Sequence, residues 1–136
     1  MQKVILDTNV IVSALIQKNY PYLILDYCIE GNATICISNA MLQEYIEVLR
    51  RPKFAGFIDF KTNADFLIAR ISEMAETYEP THKLNIIADE PDNRLLELAK
   101  ISNANFIITG NTNDFTMKVF EQTKIVSPKK YWEDYR

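Results

Sequence analysis

A short apolar run that ends in an acid, Val4-Ile5-Leu6-Asp7, constrains the fold of this chain more than any other feature. Continuous apolar runs of this length are typical of strands that are buried on both faces of a parallel sheet. Ligands of open α/β sheets bind at the carboxyl ends of the strands, so Asp7 is expected at a crevice rather than in the core.

Strand-like and helix-like segments alternate along the rest of the chain. Further strands are predicted at 33–37, 84–87, 106–109 and 124–126. Helices are predicted at 10–17, 20–30, 39–50, 62–79, 92–99, 116–122 and 128–135, with a short helical turn at 53–60. Such alternation predicts an α/β protein with a parallel sheet covered by helices on both faces, in one domain over residues 1–136.

Composition narrows the classes of function. The net charge of −3 argues against a broadly basic surface for nucleic acid. A single histidine, His82, and two cysteines without a Cys-x-x-Cys pair disfavour a zinc site and a disulfide scaffold. Cys28 and Cys36 are therefore expected to be small buried hydrophobic residues. No signal-peptide or transmembrane pattern follows Met1, which predicts a cytoplasmic protein without a membrane partner.

Acidic residues recur where the predicted strands end or the next helices begin. Asp7 ends the first strand, and Glu44 lies about one and a half turns into the helix after the second. Asp92 is expected to cap the helix after the third strand, and Asp114 follows the fourth. Because the carboxyl ends of parallel strands meet at one edge, these acids are expected to converge. Oxygen ligands of this kind suit Mg²⁺ or Mn²⁺, which need neither cysteine nor histidine.

Each acid also has a purely structural interpretation. Asp7 and Asp92 suit helix caps, Asp89 suits a loop, and an isolated helical Glu44 would normally be solvated. Apolar neighbours flank Glu44, however, and Glu47 is the better candidate for the exposed face. The joint pattern is harder to explain by structure alone than any single acid.

The spaced motifs resemble those of the PIN-domain family, metal-dependent nucleases often found as toxins of bacterial toxin–antitoxin pairs. The matching segments are 7–15 (DTNVIVSAL), Ser38, 44–54 (EYIEVLRRPKF), Asp89, 92–93 (DN), 95–99, 109–111 (TGN) and 114–115 (DF). This resemblance implies a three-layer α/β/α sandwich with a mainly parallel sheet of about five strands. It also implies single-stranded RNA as substrate and Mg²⁺ or Mn²⁺ as cofactor.

The resemblance also implies a role for each matching residue. Asp7, Glu44 and Asp92 would be the catalytic acids and would bind metal, with Asn111 and Asp114 at a second metal position. Asn111 departs from the family pattern, which has an acid there; an amide oxygen can ligate a cation but brings no charge. Supporting residues would be Asn9 (also the expected cap of the first helix), Ser38 (also the expected cap of the helix at 39–50), Asp89 and Thr109.

Basic residues near the acids predict the nucleic-acid contact. A cluster of carboxylates needs cations around its rim to hold a phosphate backbone. Arg50, Arg51 and Lys53 form the densest basic group and are predicted to bind nucleic acid. The lysines at 118, 124, 129 and 130 are interpreted as ordinary solvated charges.

Aromatic residues predict a protein partner. Phe54, Phe57 and Phe60 lie beside Gly56 in a connecting segment and suit a groove for a segment of a cognate antitoxin. A homodimer is suggested by the family resemblance alone.

Three functions compete on this sequence. The leading hypothesis is a Mg²⁺- or Mn²⁺-dependent endoribonuclease. The second is a binding module of the same fold, in which Asn111 leaves RNA or partner binding with little catalysis. The third, a phosphatase or phosphotransferase with Asp7 as nucleophile, is weaker because phosphatases of that kind usually show Asp-x-Asp and residue 9 is Asn.

Overall fold

Six strands and six α-helices make up the computed structural model, which describes residues 1–136. The strands are β1 (Lys3–Leu6), β2 (Thr34–Ile37), β3 (Glu76–Thr77), β4 (Phe106–Ile108), β5 (Val119–Phe120) and β6 (Thr123–Val126). They form one sheet in the order β3-β2-β1-β4-β6-β5. All pairs are parallel except β5 with β6. The predicted fold class is confirmed, with six strands in place of about five.

The carboxyl ends of the three central strands coincide. Leu6, Ile108 and Val126 lie side by side in the register of β1, β4 and β6. The backbone N–H of Asp7 donates to the Ile108 carbonyl at 3.0 Å, and that of Thr109 donates to the Val126 carbonyl at 3.0 Å. Residues that follow these strands therefore stand next to one another along one edge of the sheet.

Helices cover the sheet. They are α1 (Thr8–Ile16), α2 (Tyr20–Ile29), α3 (Asn39–Leu49), α4 (Phe60–Met74), α5 (Glu90–Ser102) and the short α6 (Pro128–Lys130), which continues as a π-helical turn (Tyr131–Tyr135). Helices α1 to α4 contact one another, whereas α5 packs on β1, β2 and β4. The apolar faces of both groups meet the sheet in one hydrophobic core.

The predicted third strand at 84–87 is wrong. The third strand is β3, two exposed residues that pair with the end of β2. Segment 84–87 is irregular, although it is apolar, because the side chain of Asn93 satisfies its backbone: the N–H groups of Ile86 and Ile87 donate to Asn93 Oδ1. An apolar run alone does not distinguish a strand from such a segment.

Two predicted helix caps are also wrong. Helix α5 begins at Glu90, two residues earlier than expected, and Asp89 is its cap, accepting from the Asp92 N–H at 3.3 Å. Helix α1 begins at Thr8, with Asp7 at the cap position, so that Asn9 lies inside the helix and is exposed. Both shifts leave the carboxylates of Asp7 and Asp92 free of capping bonds to the backbone.

The predicted helix at 116–122 is wrong as well. Val119 and Phe120 form β5, which turns back onto β6 in an antiparallel hairpin. Glu121 stands at a positive φ of 54° in that turn. The pairing with β6 overrides the weak helical pattern of the segment.

The two cysteines are confirmed as buried, free residues. Burial raises the pKa of the Cys28 thiol to about 12 and that of Cys36 to about 11, so neither is a ready nucleophile. Among the helices, none has both the length and the apolar composition that crossing a lipid bilayer requires.

Candidate active site at the carboxyl edge of the sheet

Asp7 is fixed from the neighbouring strand. It follows β1 directly, and the hydroxyl of Thr109, which follows β4, donates to Asp7 Oδ2 at 2.7 Å. The same Thr109 oxygen accepts the backbone N–H of Asn111 at 3.0 Å. Because Thr109 is fully buried, its hydroxyl has little freedom to leave this position. The carboxylate is thus held at the crevice by the sheet itself.

Glu44 reaches the same edge from the middle of α3. The hydroxyl of Thr8 donates to Glu44 Oε2, and Arg94 Nη1 lies 3.6 Å from Oε1. The next residue, Tyr45, is fully buried and donates its hydroxyl to the Leu6 carbonyl at the end of β1. Burial, with the nearby Asp7 and Glu44 carboxylates, raises the pKa of Tyr45 above its ordinary value. Tyr45 therefore anchors α3 where β1 ends.

Asp92 comes from the first turn of α5. Its neighbour Asn93 is buried and makes three hydrogen bonds to the segment before the helix: it accepts from the N–H groups of Ile86 and Ile87 at 3.1 and 3.0 Å and donates to the Ile87 carbonyl at 2.7 Å. Asp89 caps the helix. These contacts tie the start of α5 to the chain that leads into it.

The electrostatics of Asp92 show that the acids gather. Its pKa is raised from 3.8 to about 6. Burial is the largest cause, because it penalises the charged form. Repulsion follows from carboxylates of four other positions: Asp89, Asp7, Asp114 and Glu44, in decreasing order. The fold therefore brings together acids from the β1, α3, α5 and β4 segments.

The donor chemistry of this cluster fits a hard divalent cation. All the side chains concerned offer carboxylate or amide oxygen, the ligands that Mg²⁺ and Mn²⁺ prefer. No three acidic, histidine or cysteine side chains are yet arranged around a common point where an ion would be bound. Binding a cation would therefore require side chains to rotate.

The other predicted site residues lie around this cluster or apart from it. Asn111 and Asp114 are exposed on the loop after β4, where Thr112–Asp114 forms a 3-10 turn. The buried Ser38 hydroxyl accepts from the Met41 N–H at 3.1 Å and caps α3, as expected, without contacting an acid. Asn9 is exposed on α1 and makes no hydrogen bond to the acids through its side chain.

The predicted nucleic-acid-binding residues lie at the far end of α3. Arg50 is about 9 Å along the helix axis from Glu44, at 1.5 Å per residue. Arg51 pairs with the exposed Glu47 at 3.3 Å, and Lys53 Nζ lies 5.2 Å from the centre of the Phe54 ring. Arg50 and Arg51 border a groove of about 480 Å³. These basic residues are therefore beside the aromatic segment rather than at the acids.

That groove contains the predicted phenylalanines. Phe54 and Phe60 stack with ring centres 4.7 Å apart, and Phe57 lies against both. Phe57 is 45% exposed and the adjacent Ile58 is 90% exposed. An aromatic floor with basic sides is thus open to solvent at this end of the molecule.

Four residues of the site escaped prediction as participants. Thr8, Tyr45 and Asn93 stand next to a predicted acid in sequence, and that adjacency was the available signal. Arg94 is half-buried and forms the ion pair with Glu44 across 50 positions. Nothing local in the sequence indicates which carboxylate such an arginine will meet.

Comparison with known proteins places the chain among relatives of the same architecture. A family model described as PIN domain matches residues 3–113. An uncharacterized protein of Methanocaldococcus jannaschii, MJ1680, is 28% identical over 142 residues, which cover 98% of this chain and 91% of that protein. The structure of VapBC2 from Rickettsia felis bound to a promoter DNA fragment contains a chain of similar fold, with a TM-score of 0.60 and 19% identity. That similarity covers 93% of this chain and 98% of the other.

Proposed function

The chain belongs to the PIN-domain family, and from this premise we propose that it is a Mg²⁺- or Mn²⁺-dependent endoribonuclease that hydrolyses phosphodiester bonds of single-stranded RNA. The observation that carries the proposal is that carboxylates of separate segments meet at the carboxyl edge of the sheet: the Thr109 hydroxyl holds Asp7 there, and Arg94 pairs with Glu44. Burial first, and then Asp89, Asp7, Asp114 and Glu44, raise the pKa of Asp92 at the same place. A cluster of like charges at the ligand-binding edge of a sheet is stabilised when a cation neutralises it.

Asp7, Glu44 and Asp92 would hold the cation, and Asn111 and Asp114 would border a second position. A bound metal would neutralise charge on the phosphate and lower the pKa of the attacking water. Support for Asp7, Glu44 and Asp114 comes from their effect on the pKa of Asp92. Support for Asn111 comes only from its position on the loop after β4.

Other side chains of the site would position the metal-binding carboxylates and bind the substrate. Thr109 holds Asp7 against the sheet, and Thr8 holds Glu44. Without a cation, Arg94 balances the charge of Glu44. Once a cation neutralises Glu44, the guanidinium would be free to bind a substrate phosphate. Asp92, whose ionised form burial and the neighbouring carboxylates disfavour, would be neutralised by the cation that it helps to hold.

A cleavage assay tests the proposal. Labelled single-stranded RNA is incubated with the protein in Mn²⁺ and in EDTA. We expect cleavage in Mn²⁺ only, and Asp7→Asn should lower the rate by about 100-fold or more, since it removes a charge while keeping the shape. Asp26→Asn, at an exposed acid of α2, is the matched control and should cleave normally. Cleavage that persists in EDTA, or in Asp7→Asn, would contradict the proposal.

A second candidate function has its own support. Asn111 offers an uncharged amide where the family has an acid, which favours a module that binds RNA or a partner without cutting it. The variant Asn111→Asp separates the two functions. A faster rate would show that the amide handicaps an existing nuclease, whereas tight RNA binding with no cleavage by either protein would favour the module.

We also propose that the protein acts in the cytoplasm as the toxin of a toxin–antitoxin pair. The aromatic groove beside Phe57 supports a docking place for an apolar antitoxin segment. Co-expression with the product of the neighbouring reading frame tests this: Phe57→Ala should weaken the complex, while the exposed Phe66→Ala on α4 should not. Light scattering of the purified protein tests the proposed homodimer.

A further inference from the structure

A second groove, on the β6 side of the sheet, is basic rather than acidic. It has a volume of about 410 Å³ and lies between the β5–β6 hairpin and the C-terminal helical turns. Its polar side chains define what we term the lysine groove: Lys118, Lys124, Lys130, Thr112, Ser127 and Tyr135.

The sheet register places this groove beside the acids. Ser127 follows β6 at the same level at which Asp7 follows β1, with β4 between them. Neighbouring strands are about 4.8 Å apart, so two spacings separate Ser127 from Asp7 by about 10 Å along the edge. Thr112 directly follows Asn111 on the loop after β4. The groove therefore begins close to the candidate active site, along the same edge of the sheet.

The charge of the groove is largely uncompensated. Lys118 and Lys124 are exposed and make no ion pair, and only Lys130 has a carboxylate partner, Asp134. The Lys124 ammonium lies 4.8 Å from the centre of the Tyr135 ring. A protein of net charge −3 thus concentrates three cations on one short stretch of surface.

We propose that the lysine groove binds the phosphate backbone of a single-stranded RNA whose scissile bond lies at the acid cluster. The inference deepens the proposed nuclease function and rests on it. The three lysines would neutralise successive phosphates, and the hydroxyls of Thr112 and Ser127 would donate to phosphate oxygens. At the boundary, Asn111 carries no charge and so repels an incoming phosphate less than an acid would.

RNA suits this groove better than an acidic peptide does. On the proposed function, the ligand reaches from the lysines to the carboxylates that would hold a cation. The phosphates of an RNA strand can interact with both the lysines and that cation. The half-buried Tyr135 ring lies between Lys124 and Phe106 and forms one wall of the groove.

The test measures RNA binding in the absence of cutting. All variants carry Asp7→Asn, and the probe is a labelled, unstructured single-stranded RNA of roughly 12 nucleotides. Fluorescence anisotropy gives Kd at several salt concentrations. The lysine-groove variant changes Lys118, Lys124 and Lys130 to Gln; the control changes Lys18, Lys61 and Arg70 to Gln, which removes the same charge away from the groove. Thermal unfolding checks that both fold, and the single Lys118→Gln serves if the triple variant does not.

We expect the lysine-groove variant to bind RNA at least about tenfold more weakly at low salt. The slope of log Kd against log salt should fall by about 2, since each phosphate contact on a single strand contributes about 0.7. For Lys118→Gln alone the slope should fall by about 0.7. The control should change neither quantity appreciably.

Two results would overturn the inference: an unchanged Kd and slope in the lysine-groove variant, or equal losses in the control. Competition by a poly-glutamate peptide, with RNA affinity intact in the variant, would assign the groove to a protein and overturn it too. Cleavage by the protein with native Asp7 is measured separately. Groove-dependent binding without any Mn²⁺-dependent cleavage would refute the nuclease and leave the RNA-binding groove standing.

Discussion

The two halves of the acid cluster are built in different ways. The strand-end half comprises Asp7, Thr8, Glu44, Tyr45 and Thr109, and its carboxylates accept hydroxyl hydrogen bonds from residues at the ends of regular strands and helices. The helix-end half comprises Asp89, Asp92, Asn93 and Arg94, which follow an irregular segment. In that half the Asp92 carboxylate is left facing like charges.

The two halves differ in that the strand-end carboxylates are hydrogen-bonded, whereas the charge of the helix-end carboxylate is not balanced. Hydroxyl groups hold the strand-end carboxylates in place. The helix-end carboxylate is fixed only through its backbone and Asn93, and its ionised form is disfavoured. Such an arrangement suits a site in which the strand-end carboxylates are held in position and a bound cation would neutralise Asp92.

Removing the Asn93 side chain, which makes most of the hydrogen bonds of the helix-end half, should have the largest effect on stability. Asn93→Ala deletes three hydrogen bonds and leaves buried backbone groups of Ile87 without partners. We expect the free energy of unfolding to fall by about 3 kcal/mol, measured by urea denaturation. Asn85→Ala, at an exposed position of the same segment, is the control and should cost little. A loss of less than about 1 kcal/mol would show that the segment does not depend on Asn93.

The strand-end half should respond to the loss of one hydroxyl. Thr109→Val keeps the shape but removes the donor to Asp7 and the acceptor of the Asn111 N–H. A hydrogen bond to a charged group contributes about 2 kcal/mol, so we expect a loss of that size in thermal unfolding. Thr109→Ser retains the hydroxyl and should lose less. Equal losses in both variants would mean that packing of the methyl group, not the hydrogen bond, stabilises this half.

The smallest expected effect is a stabilisation rather than a loss of stability, and it depends on pH. The pKa of Asp92 is about 6 in the folded protein, above the unfolded value of about 3.9. The folded state therefore binds this proton more tightly, and the stability gained from it is complete below about pH 4 and lost as pH rises through 6.

Asp92→Asn removes that titration. We expect the variant to be more stable than the parent at pH 8, because its side chain carries no charge for burial and the neighbouring carboxylates to disfavour. The gain should be about 1 kcal/mol, since solvent screens part of the repulsion. The advantage should vanish at pH 4. Thermal unfolding in EDTA at both pH values measures it, with Asp26→Asn as a control that should show no such pH dependence. A variant less stable than the parent at pH 8 would mean that Asp92 is not under repulsion.

The strand-end half is also the part that the sequence predicts well. An apolar run before Asp7 and the Ser38 cap before α3 are local signals, and the structure has both. Glu44 stands out because its neighbours are apolar while Glu47 faces solvent. Local rules place Asp7 and Glu44 here because strands and helices determine where the side chains point. They miss the contacts of Thr8 and Tyr45, which depend on how α3 packs against the end of β1.

The helix-end half depends on contacts that local patterns do not encode. The apolar run at 84–87 mimics a strand, and only the side chain of Asn93 shows why it is irregular. Strand β3 has two exposed residues and exists only through its pairing with β2. Likewise, 116–122 becomes a hairpin because β6 is there to pair with it. Tertiary pairing overrides propensity in each case.

The position of a bound metal ion tests the central claim most directly. Crystals grown in Mn²⁺ would reveal the ion by its anomalous signal. We predict a peak within about 2 to 2.5 Å of carboxylate oxygens from Asp7, Glu44 and Asp92, with Arg94 turned away from Glu44 and no such peak in Asp92→Asn. Mn²⁺ bound elsewhere on the protein, with these three carboxylates left unliganded, would contradict the account.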